Sequence, residues 1–131
     1  MVNDRWLKDE NFVKGPASFF KDVPAPIRSL VTGLIRRKQR IVGKAHGMGR
    51  HSHADIDMLG MRDIDALAAM LGSKPYFLGD TVSGTDATVF GFVTTASPLI
   101  YDSPIAQRAR GHANLMAYKA RMMAAYFPEF A

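Results

Sequence analysis

Three histidines, His46, His51 and His53, stand close together just ahead of the carboxylates Asp55, Asp57, Asp63 and Asp65. A metal centre or an acid–base pair is built from such residue types. Zinc, however, takes three or four ligands held by a second shell. His51 and His53 are two apart at a helix start and face different ways, so they read as ordinary loop histidines. The four aspartates read as helix-dipole charge and a wet face rather than as a catalytic carboxylate pair. There is no cysteine, which excludes a thiolate nucleophile, a disulfide frame and a Cys-ligated metal.

The same region contains Gly43-Lys44-Ala45-His46-Gly47-Met48-Gly49-Arg50-His51-Ser52. Its glycines suggest a loop whose backbone can approach something closely. It lacks the terminal Gly-Lys-Ser/Thr of a P-loop, and no strand precedes it as a dinucleotide loop would require.

The elements that must hold these residues can be read from caps and periodicity. Ser83-x-x-Asp86 predicts a capping box opening a helix, with Val82 placed to pack on Ala87 as a staple. The residues after this cap, Ala87, Val89, Phe90, Gly91, Phe92, Val93 and Ala96, are apolar or small on every face, which predicts a helix inside a bundle. Ser52 and Asp55 form a second box, opening a helix with Ile56, Leu59, Ile64, Leu67, Ala68 and Leu71 inward and Gly72 at its end.

Upstream, Asn3 to Asp9 reads as one or two turns with Trp6 and Leu7 inward, Trp6 plugging the end of the core. Phe12 and Val13 suggest an extended piece, and Pro16 begins a short helix after the break at Gly15. Pro26 opens a helix whose Ile27, Leu30, Val31, Leu34, Ile35, Ile41 and Val42 mark one face, with Arg36, Arg37, Lys38, Arg40 and Lys44 crowding its C-terminal half. Downstream, Pro98 ends the capped helix. Ser103-Pro104 starts a short one stopped near Gly111, and Asn114 caps a last one bearing Leu115, Tyr118, Met122 and Tyr126. The expected fold is an all-α bundle of five or six helices, a single domain over residues 1–131.

At 131 residues, with 47% hydrophobic and 22% charged positions, the chain can bury a core without staples. No apolar run reaches the roughly 18 residues of a membrane span and Met1 to Phe12 is too charged for a signal peptide, so no membrane partner and a cytoplasmic address are expected. Seventeen Lys and Arg against twelve acids give a net charge of +5. Without a long basic block this reads as general surface basicity ahead of nucleic-acid binding.

Lys74-Pro75-Tyr76-Phe77, Leu78-Gly79-Asp80 and Ser83-x-x-Asp86 together resemble the C-terminal helical domain of the glutathione transferases. Arg5-Trp6, Asn11-Phe12, Gly47 to Ser52, Arg62 to Leu67, Leu71 to Phe92, His112 to Tyr118, Arg121 and Tyr126-Phe127-Pro128-Glu129 extend the likeness to the branch grouped with failed axon connections and metaxin.

The resemblance implies a thioredoxin-like domain ahead of the bundle that binds glutathione and supplies the activating Ser, Tyr or Cys. No opening βαβ is present, so the chain would be half a transferase, catalytically inactive alone and binding no cofactor by itself. Asn3 to Leu7 would then be the tail of a longer helix. By position, the wall of the hydrophobic-substrate pocket would fall to Arg5, Trp6, Met48, Arg50 and His51, while Ser83, Asp86, Ser52 and Asp55 stay structural caps. The implied partners are the thioredoxin-like domain and a second copy in a homo-oligomer. A non-catalytic interaction domain is the alternative, and a nucleic-acid binder ranks third.

Overall fold

The computed structural model describes residues 3–100 and 102–130. Six α-helices appear among them: α1 (Asp9–Lys14), α2 (Ala25–Ala45), α3 (His53–Leu71), α4 (Gly84–Ala96), α5 (Pro104–Gly111) and α6 (Ala113–Tyr126). A π-helical turn at Asn3–Leu7 and 3-10 turns at Pro16–Phe20, Met48–Arg50 and Pro128–Phe130 complete the set. The described residues form no strand, only an isolated antiparallel bridge between Tyr76 and Gly79. The all-α expectation holds. The chain gathers into two compact units, one up to Ile56 together with Leu99, Ile100 and Asp102, the other from Asp57 onward.

In the first unit, arginines of α2 close the ends of shorter elements. A helical turn leaves its last carbonyls without intrahelical donors. Arg36 supplies them: Nε donates to the Trp6 carbonyl at 2.9 Å, and Nη2 to the Leu7 carbonyl at 2.9 Å and to Asp9 Oδ1 at 2.6 Å. Its guanidinium also lies 5.0 Å from the centre of the Phe12 ring. Arg28 does the same for the turn at Pro16–Phe20, donating to the Lys21 and Val23 carbonyls at 3.0 Å each. Trp6 is the hub of the small core, with its ring centre 6.1, 6.4 and 6.5 Å from those of Phe12, Phe19 and Phe20.

Three expectations are corrected in this unit. Phe12 and Val13 lie in α1 rather than in an extended piece, because Asp9 and Glu10 at its start and Lys14 at its end complement the helix dipole. The glycine-rich stretch is not an open loop. Helix α2 continues through Gly43 to Ala45, and the turn at Met48–Arg50 folds back on it so tightly that a Cβ on Gly49 would stand 2.6 Å from the Gly43 carbonyl carbon. Gly43 and Gly49 thus serve this close packing, while Gly47 turns the chain with φ 90°. The apolar face of α2 has the expected period but not the expected burial: Ile27, Leu30, Leu34 and Ile41 are exposed. Val31 and Ile35 of that face are partly buried, together with Thr32, Arg36, Gln39 and Gly43, on the side from which Arg36 and the glycine contact bond α2 to its own unit.

The second unit is built around Asp86 at the start of α4. Its side chain is fully buried, and the expected capping box forms. Oδ2 accepts from the Ser83 N–H at 2.9 Å and from the Ser83 hydroxyl at 2.7 Å. Oδ1 accepts from the Phe77 N–H at 2.9 Å, which ties the preceding loop down. Burial pushes the Asp86 carboxyl up, but the donors from Phe77, Ser83 and Tyr118 outweigh it, and the group sits below the ordinary carboxylate value. The Tyr118 hydroxyl, from the middle of α6, donates to the Asp86 carbonyl at 2.9 Å. Burial is also the main reason the Tyr118 phenol is pushed well up, with the Asp86 charge next.

Around this hub lie Val93, Leu115, Leu71 and Phe77, with the Phe77 ring edge-on to Tyr118 at 5.2 Å. Helix α4 is not buried all round as its composition suggests. Val93 and Ala96 are inside and Val89 and Phe90 pack against the core, but Ala87, Gly91 and Phe92 face solvent. Absence of charge does not demand burial here: small residues and threonines tolerate water, and a single exposed aromatic such as Phe92 is ordinary on a protein surface. Val82 and Ala87, the expected staple, are both exposed. Asn114 is not the cap of α6, a place taken by His112. Its Nδ2 instead donates to the carbonyls of Ala68 and Gly72 at 2.9 and 3.0 Å, closing the end of α3. Gly72 ends that helix with φ 56°. Of the inward face expected on α6, Leu115, Tyr118 and Met122 are buried and Tyr126 is half exposed.

Replacing Asp86 with Ala leaves the Phe77 and Ser83 amides without acceptors and is expected to cost about 3 kcal/mol in urea unfolding. Because its folded value is depressed, Asp86 stabilises the fold above the unfolded carboxylate pKa. That contribution fades as pH falls through the lower folded value, so the wild-type advantage over Asp86→Ala should shrink in acid.

Candidate functional site

Within the second unit, the most polar junction joins α3 to α5. Asp65 sits beside Ile64 of the core stripe, half exposed, and takes both arms of Arg108: Nε to Oδ1 at 2.6 Å and Nη2 to Oδ2 at 2.9 Å. His112, between α5 and α6, places Nε2 at 2.8 Å from the same Oδ1. An ionised carboxylate only accepts, so Nε2 carries the proton in this contact. The Arg108 hydrogen bonds, then that from His112, hold the Asp65 carboxyl down to about 2. The same pairing raises Arg108. A shallow open groove of about 370 Å³ runs beside them, lined by Met61, Pro104, Gln107, Arg108, Gly111 and His112.

Nothing in this arrangement is poised for covalent chemistry. The imidazole is oriented by a carboxylate, but no serine, threonine or lysine lines the groove with it. Physically it is a clamp: a two-armed ion pair fixes the crossing of α3 and α5, and the histidine adds the junction to α6. The local pattern around Asp65 points only to a wet helix face. The signal for the clamp lies elsewhere in the chain, in Arg108 and His112 four apart, which puts both on one side of a helical turn and able to meet one carboxylate.

The residues expected to bind substrate all fall in the first unit, in two groups. Trp6, with Arg5 beside it in the π turn, is held through Arg36. Arg50 is held at the end of α2, where its Nε donates to the Lys44 carbonyl at 3.0 Å. Met48 and His51 lie beside it, half exposed and exposed. The anchors Arg36 and Lys44 are eight residues apart on α2, on the order of 12 Å along the axis. The expected positions therefore fall into two groups at different levels of α2. Among the described residues no three histidine or acidic side chains gather as a metal site. Ser52 and Asp55 cap α3: the Ser52 hydroxyl accepts from the Asp55 N–H at 3.1 Å and donates to Oδ2 at 2.6 Å. That hydroxyl, then the Ser52 N–H, lowers the Asp55 carboxyl.

Residues 60–122, from within α3 to the buried Met122 of α6, match the family model described as the glutathione S-transferase C-terminal domain. The helices that Asp65 and Asp86 fasten together thus form a glutathione transferase C-terminal-like domain. Among curated relatives, the chain is similar to failed axon connections of Drosophila melanogaster, 34% identical over 92 residues, which is 66% of this chain and 22% of that protein. It is also similar to metaxin-1 of Bos taurus, 26% identical over 132 residues, 94% of this chain and 41% of that protein. Metaxin-1 of Homo sapiens is 26% identical over 137 residues, 98% of this chain and 29% of that protein. The chain spans less than half the length of each of these relatives. No solved structure matches.

Carbon-detected NMR should place the Asp65 titration near 2 in the intact protein. In Arg108→Ala the midpoint should rise towards the ordinary carboxylate value, since the largest lowering influence is gone. The clamp is complete above the unfolded carboxylate pKa and lost only as pH falls through the folded one.

Proposed function

We propose that this chain is the hydrophobic-substrate side of a glutathione transferase-like protein and acts only when joined to a thioredoxin-like domain that holds glutathione. The observation that carries this reading is the match over α3 to α6. The chain has no cysteine. Tyr118, the buried phenol at the centre of the matched helices, donates to the Asp86 carbonyl and is pushed well above its ordinary value, so it is a poor group for making a thiolate. In this reading sulfur activation falls to the other domain. A cytoplasmic address and self-association belong to the same reading.

A second reading, a non-catalytic helical interaction domain, is favoured by one observation. The positions expected to contact substrate lie in two separated groups, and the groove beside His112 is shallow. One bundle can host catalysis or contact alone.

Conjugation of an aryl halide to glutathione should be at background for the 131-residue chain and above it when a thioredoxin-like domain is fused ahead. S-hexylglutathione should change Trp6 fluorescence only in the fused form. Turnover by the chain alone would overturn the proposal. Silence of the fused form with several electrophiles would pass the function to the interaction reading.

A further inference from the structure

Between Ala25 and Ala45, α2 carries Arg28, Arg36, Arg37, Lys38, Arg40 and Lys44 and no acid. Arg28 and Arg36 are engaged with backbone carbonyls of their own unit. Arg37, Lys38, Arg40 and Lys44 are all exposed, and no ion pair among the described residues involves them. No residue of α2 is fully buried.

The helix has a second exposed feature. Ile27, Leu30, Leu34 and Ile41 are 49%, 63%, 56% and 59% exposed. At 3.6 residues per turn they fall within an arc of about 60° and form a row about 21 Å long. Arg37 and Lys44 border one edge of the row and Lys38 the other, with Arg40 behind Lys44. An apolar row lined on both sides by cations, on a helix otherwise supported from behind, is the pattern of a helix lying in the plane of a membrane surface.

Charge decides between the candidate occupants. Two copies of α2 paired antiparallel about Leu34 would bring Arg37 of both to one side of the seam and Lys38 of both to the other, each about 9 to 12 Å from its mate along the axis. With no carboxylate on either helix, such pairing gathers like charge. An anionic lipid surface provides the opposite: phosphates and carboxylates at the level of the cations, and acyl chains below for the row. Lys38 can reach upward along its own stem. No described helix is long and apolar enough to cross a membrane, and an in-plane helix does not need to be.

We propose that α2 docks this chain peripherally on an anionic bilayer. Ile27, Leu30, Leu34 and Ile41 enter the boundary between headgroups and acyl chains, and Arg37, Lys38, Arg40 and Lys44 pair with lipid phosphates and carboxylates. Four cations on an amphipathic helix are the count at which such surfaces recognise anionic lipid. The proposal is independent of whether the fused form turns over glutathione.

The test is co-sedimentation of the full chain with sucrose-loaded vesicles of phosphatidylcholine, alone or with about 30% phosphatidylserine. Binding is expected only to the anionic vesicles and should fall steeply between low and high salt. The triple variant Arg37→Glu, Lys38→Glu, Arg40→Glu should lose at least about 100-fold in affinity. Leu34→Asp with Ile41→Asp should abolish binding although the lipid charge is unchanged. All five substituted positions are exposed, so circular dichroism and the unfolding midpoint should stay as in wild type. Equal binding to both kinds of vesicle, or none to either, overturns the proposal. So does a dimer in analytical ultracentrifugation that Leu34→Asp dissolves, which would give the row to a second copy, or salt-sensitive binding to duplex DNA in place of vesicles.

Discussion

A single buried carboxylate governs the second unit. Asp86 has no access to water, and an ionised group in that position is tolerated only if its oxygens are met by donors with good geometry. Those donors come from the loop before α4 and from its first residues, so the loop at Phe77 cannot leave without stranding the charge. The Asp86 carbonyl then receives the Tyr118 hydroxyl from α6, a separation of 32 positions bridged by one bond. The local cap has thereby become a tertiary joint.

Other joints in this unit follow the same principle of satisfying helix-end groups with side chains from a neighbour. Asn114 closes the end of α3 from the first turn of α6. Ser97 returns its hydroxyl to the Val93 carbonyl at the end of α4 and receives Lys119 from α6. Arg121 reaches the Pro75 carbonyl at 2.6 Å. Backbone groups that a helix cannot satisfy by itself are a costly surplus. Distributing their partners across the bundle fixes how the helices meet. That is the part of the chain over which the family match runs.

The first unit solves the same problem chiefly with two arginines of one helix, Arg28 and Arg36. It leaves α2 with an outward apolar row, so its stability rests on the aromatic group at Trp6 and on carbonyl capping. This contrast bears on function. The proposed inactivity of the chain alone and the proposed docking role for α2 are compatible, because the chemistry of sulfur and the chemistry of attachment call on different residues.

The caps were legible from the chain alone, since Ser52-x-x-Asp55, Ser83-x-x-Asp86 and Ser103-Pro104 act within one turn and depend on nearby residues only. The helix periods were legible too, because the spacing of Ile56, Ile64, Ala68 and Leu71 is a local geometric consequence of 3.6 residues per turn. Their order along the chain carried the family resemblance. Only the tertiary structure decided which periodic faces find a partner. It left Leu30 and Leu34 in solvent, moved Asn114 from its own helix end to that of α3, and turned Asp65 into a clamp. Each of these depends on a neighbour distant in sequence, and a pattern of residue types specifies which side of a helix is apolar without specifying what lies against it.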